Sequence, residues 1–214
     1  MLRLPAGTTI GQETSISSHT HTNLFTQVDR TKDPDFFVRF MDEAQKPAAI
    51  QASKRLMLER IAVVPGEAVL EAGCGPGTDV FDMVELVGPA GRLVGLDATE
   101  VMIAEARRRA EELQVAITFE VGQVQALPFP DGTFDVCRAE RLLEHLPDAE
   151  RALAEMVRVT RPGGRIGVFD FDWDTLIIDP PDKETTRTIV LSYSDSMRNG
   201  WIGRQLPRLF KERR

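Results

Sequence analysis

The sequence predicts an α/β domain with a doubly wound, mostly parallel sheet. From residue 68 onward, short apolar runs alternate with stretches of helical periodicity, so a right-handed crossover can carry each strand back to the same edge of a sheet. The chain has 214 residues, 42% of them hydrophobic, which is the size and composition of one domain with a sizeable core. Ligands of such sheets lie beyond the carboxyl ends of the strands.

Two helices are expected before the sheet. The first starts at Asp33-Pro34, a plausible cap and first position, and has one apolar side formed by Phe36, Phe37, Phe40 and Met41. The second runs from about Pro47 and stops before Pro65-Gly66. The strands are then expected at 68–72, 93–96, 117–121, 134–137 and 165–171, and the later helices at 78–87, 100–113, 148–159, 184–199 and about 204–212.

Three segments are therefore expected along the chain. Residues 1–24 are rich in Thr, Ser and Gly without a steady period, which is typical of a mobile arm. Residues 25–64 hold the two helices and are interpreted as a lid or cap. Residues 65–214 hold the strand–helix alternation and form the ligand-binding domain.

Charge and cysteine usage narrow the function classes. The net charge of −7 argues against a nucleic-acid partner, because affinity for phosphate backbones comes from clustered Lys and Arg. No apolar run approaches the roughly 20 residues that a membrane span requires, and the first residues lack the order of a secretory signal. Two cysteines, Cys74 and Cys137, are too few for a disulfide scaffold. A cytoplasmic protein is expected.

A glycine-rich loop follows the first strand, with Glu71 before Gly73, Gly75 and Gly77. A dinucleotide site would read G-x-G-x-x-G, but Thr78 stands where its final glycine would be. The pattern is E-x-G-x-G-x-G, which resembles the first motif of the class I S-adenosylmethionine-dependent methyltransferases. A tight turn that binds nothing is the alternative.

A carboxylate ends the second strand. Asp97, followed by Ala98, is well placed to accept hydrogen bonds from the two hydroxyls of a ribose. A capping box made by Asp97 and Glu100 at the next helix is the alternative, and the two roles are not exclusive.

Three later segments extend the resemblance to small-molecule methyltransferases. Residues 121–135 match the family's L-P-F-x-D-x-x-F-D region, residues 138–148 end in H-L-P-D, and residues 161–165 match its Pro-Gly-Gly turn. The family commonly has an Asp where Gln123 stands. A glutamine oxygen can also accept from an adenine amino group, but it is neutral and loses more rotamer entropy.

The resemblance implies S-adenosylmethionine as cofactor and a small-molecule acceptor, as in the ubiquinone and menaquinone C-methyltransferases. It places the methionine ammonium at Glu71, the ribose at Asp97 and the adenine at Gln123 and Val124. The full set of cofactor-binding candidates is Glu71, Gly73, Cys74, Gly75, Gly77, Asp97, Ala98, Gln123, Val124 and Glu140. His145 is the candidate base, because an imidazole titrates near neutral pH. The alternative is a purely structural role for His145, next to Pro147-Asp148 at the approach to the following helix.

Other residues offer alternative roles. Glu140, Arg141, Glu144, Asp170, Asp172 and Trp173 are candidates for orienting the acceptor. The Asp170 and Asp172 carboxylates lack a third ligand at suitable spacing, so no metal site is predicted. The alternative functions are a non-catalytic or truncated cofactor-binding module and a nicotinamide-dependent oxidoreductase.

The family's sheet has seven strands, and only five strand-like runs occur here. The resemblance therefore implies a domain without the C-terminal antiparallel pair, with the fifth strand as an uncovered edge. A truncated product, or a form completed by a partner such as a second copy in a homodimer, is expected on this ground.

Overall fold

The computed structural model describes residues 21–179 and 182–213, which form a five-stranded parallel sheet with helices on both faces. The strand order is β3-β2-β1-β4-β5. The strands are β1 (Ala68–Ala72), β2 (Arg92–Asp97), β3 (Thr118–Val121), β4 (Phe134–Glu140) and β5 (Thr160–Phe169). The winding reverses between β1 and β4, so the predicted doubly wound fold is confirmed.

Eight α-helices accompany the sheet in these described ranges. They are α1 (Pro34–Ala44), α2 (Ala48–Ile61), α3 (Thr78–Phe81), α4 (Val84–Val87), α5 (Glu100–Leu113), α6 (Ala149–Val159), α7 (Lys183–Ser196) and α8 (Ile202–Lys211). Shorter 3-10 segments cover His21–Arg30, Val124–Ala126, Leu143–His145 and Trp173–Thr175. None of the helices in the described part of the chain has the length and apolar character to cross a membrane.

The sheet separates two apolar layers. Leu70, Phe134 and Cys137 pack on one face with α6 and α8, and Val69, Leu93 and Val136 pack on the other with α3 and α5. Because both faces are covered, the central strands read as continuous apolar runs rather than as alternating ones. The sheet lies between the two layers, and a ligand can enter at the edge formed by the carboxyl ends of its strands.

Two predicted elements differ from the structure. The helix expected over 78–87 is divided into α3 and α4, with Asp82 and Met83 between them. The strand expected at 165–171 begins at Thr160 and ends at Phe169; Thr160 pairs with Phe134, but pairing then resumes at Arg165 with Val136. The intervening Pro-Gly-Gly turn therefore bulges out of the strand, helped by the positive φ of Gly163, +78°.

The N-terminal helices are attached to α5. The 3-10 segment His21–Arg30 buries Val28 against Phe37 and Met102. Both carboxylate oxygens of Asp29 accept hydrogen bonds from the first turn of α5, from Glu100 N at 2.8 Å and Val101 N at 3.0 Å. Asp97 therefore does not form the predicted capping box with Glu100. Of the predicted arm, residues 1–20 lie outside the described residues.

Replacing Asp29 with alanine leaves two amide groups of α5 without their acceptor. Substitution of a capping side chain costs about 1 kcal/mol. We expect Asp29→Ala to lower the free energy of unfolding by about that amount in urea titrations, whereas Asp195→Ala, at an exposed position within α7, changes it little. An unchanged stability of Asp29→Ala would show that the long-range cap does not hold the segment.

Candidate active site

A cavity of about 490 Å³ opens at the carboxyl ends of the strands. Residues directly after β1, β2, β3 and β4 line one part of it, including Gly73, Ala98, Gln123 and Arg141. Residues from α1, α2, α7 and the segment after β5 line the rest. The cavity thus lies where ligands bind in doubly wound sheets.

Seven of the ten predicted cofactor-binding residues line this cavity. They are Gly73, Cys74, Asp97, Ala98, Gln123, Val124 and Glu140. Glu71, Gly75 and Gly77 do not. The predicted base, His145, lines the cavity from the opposite side, together with Glu144 and Leu146.

The glycine loop is held in a tight conformation. Gly75 has a φ of +52°, and Met41 Cε lies 2.5 Å from the position that a Cβ on Gly75 would occupy. A side chain at Gly75 would therefore strain the backbone and displace the end of the Met41 side chain. Met41 itself lines the cavity, so the first helix contributes to the loop's packing and to the site.

Asp97 holds the same loop from the neighbouring strand. One carboxylate oxygen accepts from Gly75 N at 2.9 Å, and the other accepts from the amide of Thr99 at 3.0 Å and its hydroxyl at 2.9 Å. Burial raises the pKa of Asp97, and these hydrogen bonds oppose the shift. A carboxylate has about four acceptor positions, so it can accept further hydrogen bonds from a ligand in the cavity.

Glu71 lies beneath the loop and faces a buried cation. Its Oε1 accepts from Arg138 Nη1 at 2.6 Å, and the other guanidinium amine of Arg138 donates to Glu140. Burial raises the pKa of Glu71 to about 7, although Arg138 opposes the shift. The other carboxylate oxygen, Oε2, has no hydrogen-bond partner in the structure, and Glu71 is not among the residues that line the cavity.

The end of β4 presents two buried polar atoms without a hydrogen-bond partner in the structure. These are Glu140 Oε1 and Arg141 Nε, which lie 3.2 Å apart without hydrogen-bond geometry. Arg141 has a φ of +51°, which a non-glycine residue rarely adopts. Strain and unmet polar atoms cluster at functional sites. Both residues line the cavity.

Aromatic side chains surround the other half of the cavity. Phe25 lies over His145 with a ring separation of 5.1 Å, and Trp173 lies 4.9 Å from Tyr193. Phe40 from α1 and Met197, just after α7, also reach the wall. Thus α1, which the sequence assigns to a lid or cap, and the segment around α7 both contribute to the cavity.

Glu144 is the buried carboxylate of this aromatic half. Its Oε2 accepts from Trp173 Nε1 at 2.8 Å, and its Oε1 lies 3.5 Å from His145 Nε2. Burial raises the pKa of Glu144 to about 7. Asp170 lies behind it and accepts from Glu144 N at 3.2 Å, while Asp172 pairs with Arg204. The described residues contain no group of three or more His, Cys, Asp or Glu side chains placed to hold a metal ion.

Sequence reasoning missed Lys54 and Asp79. Lys54 is only 4% exposed, and its ammonium lies 2.5 Å from Asp79, which lines the cavity. The missed signal was the position of Lys54 on the apolar side of α2, between Ile50 and Ile61 at helical spacing. A lysine on a buried helix face requires a partner.

Known proteins match the part of the chain that builds this cavity. Residues 69–164 match the model of a family described as a methyltransferase domain. An uncharacterized 37.1 kDa protein in transposon TN4556 of Streptomyces fradiae is 43% identical over 173 residues, which cover 80% of this chain and 50% of that protein. Residues 69–164 thus match a methyltransferase domain, and the predicted resemblance to the methyltransferases is confirmed.

Other relatives agree with this family. Demethylmenaquinone methyltransferase of Lactococcus lactis is 38% identical over 122 residues, or 56% of this chain and 48% of that enzyme. A S-adenosylmethionine-dependent methyltransferase from Aquifex aeolicus has a TM-score of 0.58 at 20% identity, over 74% of this chain and 86% of its own, and so shares the fold. The chain spans about half the length of the curated relatives that it matches.

The buried carboxylate of Glu144 makes stability depend on pH. Its pKa is about 7 in the folded chain and ordinarily 4.5. The free energy of unfolding of the wild type therefore falls as the pH rises between these two values, because the carboxyl ionises more readily in the unfolded chain. Glu144→Gln keeps an oxygen for Trp173 and removes this cost. Relative to the wild type, we expect its free energy of unfolding to increase by up to about 3 kcal/mol between about pH 4.5 and pH 8.

The measurement is urea unfolding of both proteins across this pH range. Glu59→Gln, at an exposed position of α2, serves as the control and should track the wild type. A constant difference between Glu144→Gln and wild type would contradict a raised pKa at Glu144.

Proposed function

We propose that the chain transfers a methyl group from S-adenosylmethionine to a small-molecule acceptor. The proposal rests on the cavity at the carboxyl ends of β1, β2, β3 and β4. One part of its wall has buried polar atoms without hydrogen-bond partners, and another part is formed by aromatic side chains. The methyltransferase domain supports the same reaction. When bound, S-adenosylmethionine supplies an activated methyl group on a sulfonium.

The polar end fits the amino-acid part of this cofactor. Glu140 Oε1 is an acceptor without a partner and suits an ammonium, and Arg141 Nε is a donor without a partner and suits a carboxylate. Both Glu71 and Glu140 accept from Arg138, and we assign the ammonium to Glu140 because Glu140 lines the cavity and Glu71 does not. The glycine loop lies next to this end, where Gly73 and Cys74 line the wall.

The middle of the cavity fits the nucleoside. Asp97 already accepts three hydrogen bonds and retains about one acceptor position, for a ribose hydroxyl, beside the backbone of Ala98. Gln123 and Val124 follow β3 and suit the adenine edge. Leu96, Met102 and Leu142 supply apolar surface for the ring.

The aromatic half suits an acceptor with apolar or aromatic surface. Glu144 and His145 are its titratable pair, and either can take a proton from an acceptor held within hydrogen-bond reach. His145 keeps its predicted role as a base, and Glu144 is a second candidate because its pKa of about 7 lies near neutrality. Alignment of the acceptor within the chamber supplies much of the rate in such a displacement.

Residues 25–64 form a lid over the acceptor end in this proposal. Phe25, Phe40, Met41 and Ile50 all lie on the cavity wall. Opening of these helices would admit an acceptor, and their closure would exclude water.

A second candidate function is a different reaction on the same domain. The [4+2]-cyclase SpnF is 30% identical with a TM-score of 0.52, over 57% of this chain and 46% of its own. A domain of this fold that carries out a reaction other than methyl transfer is therefore the alternative to test.

Two measurements separate these functions. Calorimetry with S-adenosylmethionine, S-adenosylhomocysteine and NAD should give heat with the adenosyl ligands alone; heat with NAD alone would overturn the family-based proposal. Incubation with methyl-labelled S-adenosylmethionine and a metabolite extract should then label a small molecule. Tight adenosyl binding with every acceptor unlabelled would favour the second candidate.

The side chain of Gln123 tests the adenine position. We expect Gln123→Ala to weaken binding of S-adenosylhomocysteine by about threefold to tenfold, the value of one neutral hydrogen bond. Gln125→Ala removes a neighbouring side chain that is not on the cavity wall and should leave the affinity unchanged. Equal affinities of all three proteins in calorimetry would place the adenine elsewhere.

A further inference from the structure

Lys54 brings a cation from the N-terminal helices to the polar end of the cavity. Its ammonium lies 2.5 Å from Asp79 Oδ1, donates to Gln45 Oε1 at 2.6 Å and lies 3.9 Å from Glu140 Oε1. Asp79 and Glu140 both line the cavity, whereas Lys54 is behind them. Lys54 therefore acts on a ligand through these two carboxylates.

The charges at this end of the cavity balance. Three carboxylates are linked to three cations by contacts of 3.9 Å or less, and the six residues are Glu71, Asp79, Glu140, Lys54, Arg138 and Arg141. Arg138 is 1% exposed and also lies 3.6 Å from Asp79. A ligand group that enters such a buried, neutral cluster is favoured when it adds no net charge.

An amino-acid tail meets this requirement. Its ammonium and carboxylate cancel, and they match Glu140 Oε1 and Arg141 Nε, which lie 3.2 Å apart as an ion pair and have no hydrogen-bond partner in the structure. Without Lys54 the cluster would carry one excess negative charge next to Asp79 and Glu140. That excess would repel the carboxylate of a tail and attract a tail with an ammonium alone.

We propose that Lys54 is a positioning residue that makes the site selective for a zwitterionic tail over a purely cationic one. The inference rests on the proposed function, since it concerns the ligand of the same cavity. It also gives α2 a role in cofactor choice in addition to its place over the acceptor. A lysine that only fastens α2 to the domain would affect all ligands alike.

The test is calorimetric binding of three adenosyl ligands at about pH 8, above the pKa of Glu71, which is about 7. The ligands are S-adenosylmethionine, its decarboxylated form, which lacks the tail carboxylate, and methylthioadenosine, which lacks the tail. We expect the wild type to prefer S-adenosylmethionine over the decarboxylated form. Lys54→Met should reduce that preference at least about tenfold and leave methylthioadenosine binding unchanged.

Matched variants distinguish the effect of the Lys54 charge on ligand preference from an effect on folding. Lys54→Arg keeps the charge and should retain the preference, and the double variant with Lys54→Met and Asp79→Asn should recover it by restoring neutrality. Lys46→Met removes an exposed lysine near the start of α2 and should behave as wild type.

The outcomes are distinguishable. Equal loss of all three ligands in Lys54→Met, or an unchanged preference, overturns the role of Lys54 while the proposed function stands. Absence of binding of every adenosyl ligand to the wild type overturns the proposed function itself.

Discussion

The buried guanidinium of Arg138 is the constraint on which the site depends. It lies in the middle of β4, in register with Glu71 on β1, and is 1% exposed. A charge in that position is tolerated only when carboxylates surround it, and removal of one partner from a buried pair typically costs about 3–5 kcal/mol. Glu71, Asp79 and Glu140 meet this need, so β1, the start of α3 and the end of β4 are fixed relative to one another.

This network divides the cavity into two environments. At the end near Arg138, charges are paired, and Glu140 and Arg141, each with a buried atom that lacks a hydrogen-bond partner, line the cavity. At the other end, aromatic rings surround Glu144, whose pKa rises because burial penalises its charge. One half therefore suits a charged tail, and the other suits an apolar acceptor that gives up a proton.

The N-terminal helices are attached to the rest of the domain by three ionic or polar contacts in addition to apolar packing. Asp29 caps α5, Asp42 pairs with Arg109 of α5 at 2.8 Å, and Lys54 pairs with Asp79. The aromatic contacts of Phe25 and the packing of Met41 lie between these points.

The sequence by itself determined the fold and the location of the site. Strand–helix alternation, the E-x-G-x-G-x-G loop and the carboxylate of Asp97 are local patterns, and periodicity and turn chemistry are sufficient to read them. The tertiary structure alone decided which polar and charged side chains pair with one another. Glu71 turns to Arg138, Asp29 in place of Asp97 caps α5, and Lys54 reaches Asp79 from a helix 25 residues away in sequence. Pairings between charges depend on distances across the fold, which no local pattern encodes, and they are what fix the polarity of the two ends of the cavity.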